Sequence, residues 1–300
     1  MKFAQSSIED TQALALWYFT KECNFHCPYC KIGRANSDHG IARRFSTMGK
    51  KIMRRLTGLP ADPLEGSSKI IKLLKNEEGK KWTIGLTGGE PFMYPRFVDL
   101  CETLTEHFCI YVDTNLSISR RVAEFAKRIN PDRVDFLYIS THIAERERRN
   151  QVDDFIGNIL LLQERGFNCR VSYVLQPSLI SRFMKDHDYF REKGVTLMPK
   201  PFKGIFQGKR YPQAYTGEEK KLLSEYNPCF QEEIPVKSRG ITCDAGRLFI
   251  RISPDGRVTR CVGDKTVLGH ISKGITFDRE AQPCQIDTCP CFGQLFLRQH

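Results

Sequence analysis

Short apolar runs alternate with longer amphipathic runs over roughly residues 13 to 200 of this chain. The short runs are rich in β-branched and aromatic residues, which is typical of strands buried in a parallel sheet. The longer runs repeat apolar residues at helical spacing; Phe155, Ile159 and Leu162 form one such stripe, which ends before Gly166. The pattern predicts strands at 14–19, 82–86, 109–112, 135–140, 170–175 and 195–198, and helices at 96–108, 120–129, 154–165 and 181–193.

Strands joined by helical crossovers predict an α/β fold with a parallel sheet built from right-handed βα units. Six strands are fewer than the eight of a closed barrel, so we expect a partial (β/α)6 TIM-like barrel. Past residue 200 the frequent Pro and Gly residues break up long elements, although a helix is predicted at 217–226 and a hairpin at 247–260 around Asp255-Gly256. We therefore predict a barrel (1–202), a linker or substrate-loop region (203–228) and a small cysteine-rich domain of β-hairpin and helix (229–300).

The composition is notable for its cysteines: there are 12 among 300 residues. No apolar stretch is long enough to span a membrane, and the first residues do not resemble a secretory signal, so we expect a cytoplasmic protein without a membrane anchor. Cytoplasmic thiols stay reduced, and clustered ones therefore indicate metal binding rather than disulfide bonds.

The net charge of +11 comes from basic residues spread along the chain, with a local run at Arg146 to Arg149. No nucleic-acid-binding motif accompanies these residues, so we interpret the runs as solvated helix faces and expect no nucleic-acid partner. An anionic small substrate or an acidic redox partner is compatible with the charge.

Three cysteines, Cys23, Cys27 and Cys30, lie within eight residues directly after the first predicted strand. Thiolates suit zinc or an iron–sulfur cluster, and a zinc site would need a fourth ligand such as His26. Three ligands on a four-iron cube would leave one iron open for catalysis. The loop after the carboxyl end of a parallel strand is also where α/β folds place their chemistry.

This spacing resembles the CxxxCxΦC motif of the radical S-adenosylmethionine (SAM) superfamily, with Tyr29 at the aromatic position. The resemblance implies a [4Fe–4S] cluster whose open iron binds SAM. It also implies that SAM is cleaved reductively to a 5′-deoxyadenosyl radical, which abstracts a hydrogen atom from a substrate.

Three further positions match SAM-binding features of this superfamily. Gly88, Gly89 and Glu90 match its GGE motif, which implies a contact with the SAM ammonium group. Asn115 stands in a segment that usually reads Thr-Asn-Gly, and here it is either a turn residue or a contact to the SAM ribose. Ser140 ends the fourth strand, where related enzymes contact the ribose or carboxylate of SAM.

Other strand ends carry candidate substrate contacts. His142 follows the fourth strand and is a candidate acid, base or substrate ligand, with a structural role as the alternative. Gln176 and Lys200 follow the fifth and sixth strands and are similar candidates. We interpret the remaining barrel cysteines as small core residues: Cys101, Cys109 and Cys169.

A second cysteine group lies in the C-terminal part and resembles the SPASM or twitch extension of radical SAM enzymes. The resemblance implies one auxiliary [4Fe–4S] cluster, bound by Cys243, Cys261 and two of Cys284, Cys289 and Cys291; a structural zinc is the alternative. At least one thiol is then spare. Cys229 is one candidate for a catalytic hydrogen-atom donor, and the terminal cysteine not used as a ligand is another; for each, a ligand role or an inert thiol is the alternative.

Together these features predict a radical SAM oxidoreductase or epimerase, reduced by a flavodoxin- or ferredoxin-type protein. No room for a leader-binding domain is seen before Cys23, which favours a small polar substrate such as a sugar, an aminocyclitol or a nucleotide-sugar. The segment 204–212 is expected to contact it. The alternatives are a peptide-modifying maturase and a non-catalytic iron–sulfur electron carrier.

Overall fold

The computed structural model describes residues 11–30, 62–228, 230–289 and 292–298. The first part of the chain contains β1 (Gln12–Thr20), α1 (Pro63–Lys75), β2 (Lys81–Gly88), α2 (Phe97–Thr105), β3 (Cys109–Thr114), α3 (Ser119–Arg128), β4 (Val134–Ser140), α4 (Ile143–Arg148), α5 (Val152–Glu164), β5 (Cys169–Leu175), α6 (Phe183–Glu192) and β6 (Leu197–Pro201). The second part contains β7 (Gly204–Phe206), β8 (Lys209–Tyr211), α7 (Gly217–Tyr226), α8 (Phe230–Glu233), β9 (Val236–Lys237), β10 (Thr242–Cys243), β11 (Phe249–Ile252), β12 (Arg257–Thr259), β13 (Val267–His270), β14 (Gly274–Ile275), β15 (Gln282–Pro283) and β16 (Thr288–Cys289).

Strands β1 to β6 lie side by side in chain order, and every neighbouring pair is parallel. The α/β class and the parallel sheet predicted from the sequence are therefore confirmed. All six predicted strands and all four predicted helices of this part overlap observed ones. Closure into a partial barrel stays a prediction.

The C-terminal hairpin extends this same sheet. Strand β11 pairs in parallel with β1, and β12, β13 and β14 follow in antiparallel order. The hairpin predicted around Asp255-Gly256 is confirmed, since β11 and β12 pair on either side of it. Its attachment to the edge of β1 was not expected from the sequence, and the division into three parts stays a prediction.

The two faces of the sheet differ in character. Residues that are register partners in a parallel sheet share a face. Ala15 is the partner of Ile84, and Ile84 is the partner of Ile110; all three are fully buried in the main apolar core. Tyr18 is the partner of Thr87 on the opposite face, which is more polar towards the carboxyl ends of the strands.

Two helices in the first part of the chain were missed by the sequence pattern. Helix α1 begins after Asp62, whose side chain accepts a hydrogen bond from the Leu64 amide, and it buries Ile70 and Leu74. Helix α4 is only six residues long and mostly charged, so its apolar periodicity is weak.

Among the described residues, no helix is both long enough and apolar enough to cross a membrane.

Candidate functional site

The first cysteine group lies in the loop that follows β1. Cys27 is buried, and Cys23 and Cys30 are half-buried. Burial, together with the negative charges of Cys30, Glu145 and Cys23, raises the pKa of Cys27 to about 12. A thiolate at Cys27 therefore requires a compensating positive group, which a metal centre supplies.

Asn115, at the end of β3, joins this cysteine loop to the second strand. Its backbone N–H donates to Glu90 Oε2 at 2.6 Å. Its side-chain Nδ2 donates to Asn24 Oδ1 at 3.0 Å and points to Cys23 Sγ at 3.9 Å. The sequence-predicted residues of β1, β2 and β3 are thus brought together at one edge of the sheet.

Glu90 is the buried centre of this junction, with no exposed surface. Thr114 Oγ1 donates to its Oε1 at 2.7 Å and the Phe92 amide donates to the same oxygen at 3.0 Å. Burial raises the pKa of Glu90 to about 7, although these donors and the nearby Arg146 act in the opposite direction. With no exposed surface, Glu90 anchors the strand ends, and its contact with SAM stays a prediction.

The two glycines of the GGE segment are required by a close backbone approach. A Cβ atom at Gly88 would lie 2.1 Å from the Thr20 carbonyl oxygen, and one at Gly89 would lie 1.9 Å from that of Glu22. The Gly89 and Glu90 amides donate to these carbonyls at 3.0 and 2.7 Å. The glycines therefore let the end of β2 pack against the start of the cysteine loop.

We expect Gly89→Ala to displace the cysteine loop, because the new Cβ atom would meet the Glu22 carbonyl oxygen, which belongs to the backbone. The variant should lose up to about half of the iron that the parent chain binds after anaerobic reconstitution, as measured by iron analysis. Gly157→Ala is the matched control: Gly157 has open space around its Cβ position in helix α5, where alanine is the better helix former. Equal iron binding by Gly89→Ala and the parent would contradict this packing argument.

His142 and Tyr29 meet beside Cys27. Nδ1 of His142 lies 2.7 Å from Tyr29 Oη and 3.3 Å from Cys27 Sγ, and its ring packs edge-on against Phe25. Burial and the positive charge of Arg146 lower the pKa of His142 to about 3, which favours a neutral imidazole. His142 therefore contacts the cysteine loop directly; its catalytic role stays a prediction.

Arg146 was interpreted as part of a solvated basic run, and this was wrong. It has no exposed surface, and its guanidinium lies 3.5 Å from the centre of the Phe155 ring. Its Nε donates to the Thr141 carbonyl at 2.6 Å, and one terminal nitrogen donates to the Asn115 carbonyl. Ile143, three residues earlier, is also buried, and this spacing was the signal that places Arg146 on the inner face of α4.

Helix α4 also holds the cysteine loop through its charged residues. Arg149 donates to the Asn24 carbonyl at 2.6 Å. Glu145 accepts a hydrogen bond from the His26 amide and forms an ion pair with Arg149. Burial raises the pKa of its carboxyl group, but these partners help to lower it below the ordinary value. Ser140, just before this helix, is half-buried, and its carbonyl accepts a bond from Arg146 at 3.4 Å.

Four C-terminal cysteines line one pocket. They come from distant parts of the C-terminal sequence, and each has at most 9% of its surface exposed: Cys243, Cys261, Cys284 and Cys289. Cys291 and Cys229, the two remaining candidates of this region, lie outside the described residues. The sequence left open which two of Cys284, Cys289 and Cys291 are ligands. The structure places Cys284 and Cys289 in the pocket.

The surroundings of both cysteine groups suit thiolates. The Ala245 amide donates to Cys243 Sγ at 3.4 Å, the Asp264 amide to Cys261 Sγ at 3.1 Å, and two loop amides to Cys23. Hydrogen bonds to sulfur are typical around iron–sulfur clusters, so the donor chemistry fits such a group. In the described ranges, no three His, Cys, Asp or Glu side chains meet closely enough to bind a single metal ion.

A buried cation borders the four-thiol pocket. Arg260 lines it and forms ion pairs with Asp264 at 2.9 Å and Asp278 at 2.8 Å. Burial raises the pKa of Cys243 to about 11, and the positive charge of Arg260 opposes this rise. Arg260 alone therefore does not offset burial, and a thiolate at Cys243 needs a further positive group, as Cys27 does.

Comparison with known proteins gives one family match and several similar folds. The model of the Radical SAM superfamily matches residues 17–180. No curated protein matches the chain.

Three solved structures illustrate the shared fold. Native anSMEcpe with bound AdoMet and Cp18Cys peptide is 17% identical, with a TM-score of 0.57 over 88% of this chain and 78% of that one. Streptococcus suis SuiB bound to S-adenosylmethionine is 14% identical, with a TM-score of 0.57 over 87% of this chain and 64% of that one. SuiB bound to its precursor peptide SuiA is 15% identical, with a TM-score of 0.54 over 83% and 59%. At these identities the likeness shows the fold alone.

Proposed function

Since this chain belongs to the radical SAM superfamily, we propose that it cleaves SAM reductively and abstracts a hydrogen atom from a polar substrate. The cleavage would use a [4Fe–4S] cluster held by Cys23, Cys27 and Cys30. The observation that carries the proposal is the junction at Asn115, whose bonds join the GGE segment to the cysteine loop. A flavodoxin- or ferredoxin-type protein is the proposed electron source, and the net charge of +11 suits an acidic partner.

When bound, the cluster and SAM would supply the radical chemistry. The chain itself would position them. Cys23, Cys27 and Cys30 bind the cluster, with Tyr29 beside them. The proposed SAM contacts are at the adjoining strand ends: Gly88, Gly89, Glu90, Asn115 and Ser140. His142, with its neutral ring against Cys27, is proposed to orient this loop and to face the substrate.

The C-terminal pocket is proposed to hold an auxiliary [4Fe–4S] cluster on Cys243, Cys261, Cys284 and Cys289. Their shared pocket and the N–H groups directed at two of their sulfur atoms support this set. Such a domain would be of the SPASM or twitch type. Cys291 is then not required as a ligand, and Cys229 stays a candidate hydrogen-atom donor.

Two clusters predict about eight iron and eight sulfide per chain after anaerobic reconstitution. Replacing Cys261 and Cys289 together by serine should reduce both to about four, because only the first site remains. Elemental iron, zinc and acid-labile sulfide analysis checks this. Zinc in place of half the iron would show that the C-terminal site is a structural zinc site instead.

The proposed substrate is a small polar molecule such as a sugar, an aminocyclitol or a nucleotide-sugar. A peptide substrate is the second candidate, favoured by the peptides bound in the anSMEcpe and SuiB structures. Oxidation would transfer an electron from the substrate radical to the auxiliary cluster, whereas epimerisation would return a hydrogen atom to it from a cysteine thiol.

Turnover in D2O separates these two outcomes. A thiol exchanges its hydrogen with solvent, so epimerisation is expected to place one deuterium at the reacting carbon, as measured by mass spectrometry. Dehydrogenation gives a product two mass units lighter with no deuterium there. A chain that forms no 5′-deoxyadenosine after reduction would instead be a non-catalytic electron carrier.

A further inference from the structure

The polar face of the sheet carries a group of side chains that the predicted cofactor contacts do not use. Asp113 of β3 is the register partner of Tyr138 of β4 and shares its face. Tyr138 is the register partner of Arg170 on β5. Four residues further along β5, Val174 is the register partner of Lys200 on β6. Because alternate residues of a strand share a face, Lys200 lies on the same face as Asp113 and Tyr138.

Asp113 has one carboxylate oxygen without a partner. Thr87 hydrogen-bonds the carboxylate, yet Oδ1 is buried and has no hydrogen-bond partner among the described residues. A buried acceptor left open is costly, and native proteins pair nearly all such groups. This oxygen therefore indicates a missing donor, which a ligand can provide.

Lys200 faces the same region from β6. Its Nζ lies 4.4 Å from the centre of the Tyr138 ring, and Tyr138 donates to Glu233 at 3.4 Å. Burial opposes the charged form of Lys200, but Tyr138, Glu233 and Asp113 together raise its pKa above the ordinary value. Asp113 and Lys200 thus attract each other, and each shifts the pKa of the other towards its charged form.

The group adjoins the candidate active site. Asp113 directly precedes Thr114 and Asn115, which bind Glu90, and Thr87 directly precedes the GGE segment. A molecule held by Asp113 and Lys200 would therefore lie beside the strand ends that approach the cysteine loop.

We propose that Asp113 and Lys200 hold a hydroxyl group of the substrate between them. The hydroxyl would donate to Asp113 Oδ1, the buried acceptor without a partner, and accept a hydrogen bond from Lys200 Nζ, which also lies beside Tyr138. Opposite charges on its two sides favour a dipolar group over a charged one. This rests on the proposed function and deepens it, since the hydroxyl belongs either to a cyclitol or sugar or to a serine or threonine of a peptide.

The test compares hydroxylated probes with hydroxyl-free partners on the reconstituted enzyme with SAM. One pair is 2-deoxystreptamine and 1,3-diaminocyclohexane; the other is a capped Gly-Gly-Ser-Gly-Gly peptide and its Ala analogue. By isothermal titration calorimetry, one hydroxylated probe should have a Kd at least about 10-fold lower than its hydroxyl-free analogue. The pair that shows this difference tells whether the hydroxyl belongs to a cyclitol or sugar or to a peptide. The ratio of the Kd of the hydroxyl-free analogue to that of the hydroxylated probe should fall below about 3 in Asp113→Asn and in Lys200→Met.

Asp154→Asn is the matched control, because Asp154 is exposed on α5, and it should keep the parental ratio. The ratio is measured on folded protein, so a change in stability alone does not alter it. Equal affinities for both pairs, or a ratio unchanged in both variants, would overturn the proposal. 5′-Deoxyadenosine formation without substrate is measured in parallel, and its absence from the parent would refute the proposed function instead.

Discussion

Cys27→Ala is expected to lower 5′-deoxyadenosine formation by more than about 100-fold. Loss of a residue that only supports a metal ligand already costs about 10- to 100-fold in metal affinity or activity, and Cys27 is proposed as a ligand itself. It is the buried member of its group and contacts both His142 and Tyr29. The measurement is chromatographic detection of 5′-deoxyadenosine after anaerobic reconstitution and dithionite reduction with SAM.

Cys101→Ala is the matched control for this experiment. Cys101 is fully buried in helix α2 and packs in the apolar core, so its replacement removes a sulfur atom without touching the site. It should retain 5′-deoxyadenosine formation within about threefold. Full activity in Cys27→Ala would contradict the assignment of the first cluster.

Arg146→Met is expected to reduce the free energy of unfolding by about 2–4 kcal/mol. Methionine keeps much of the side-chain volume but donates no hydrogen bonds. The carbonyls of Thr141, Asn115 and Ser140 would then lose their common donor inside the protein, and the contact with Phe155 would weaken. The shift of the urea midpoint measures this loss when the slope of the free energy of unfolding against urea concentration is unchanged.

Arg148→Met provides the comparison, two residues further along the same helix. Arg148 is 59% exposed and pairs with Glu145 at the surface, so its loss should change the free energy of unfolding by at most about 0.5 kcal/mol. Equal stabilities of the Arg146 and Arg148 variants would show that the buried carbonyls find other donors.

The elements of the fold were predictable because each of them is coded locally. The apolar runs of β1 to β6 lie on mostly buried strands. Helix α7 has the predicted bounds and starts at a capping box between Thr216 and Glu219. The first cysteine group could be predicted because its three proposed ligands lie within a single loop. Helix α4 was missed because a six-residue charged helix carries almost no periodic signal.

The contacts between elements could not be predicted in this way. The spacing of Ile143 and Arg146 places both on one face of α4, but the sequence does not show that Arg146 reaches the Asn115 carbonyl after β3. The GGE motif implied a contact with SAM, but it did not indicate that its two glycines allow the backbone to pack against Thr20 and Glu22. Such contacts join residues far apart in the chain, so no local pattern reports them.

The sequence by itself determined the parallel α/β class, the first cysteine loop and the superfamily, because periodicity and short-range spacing are local properties. The tertiary structure decided which distant groups meet. It joined β11 to the edge of β1, brought Cys284 and Cys289 to Cys243 and Cys261, and left the Asp113 Oδ1 acceptor open on the sheet face that also carries Lys200. These outcomes depend on strand register and on how the chain packs, which are global properties of the fold.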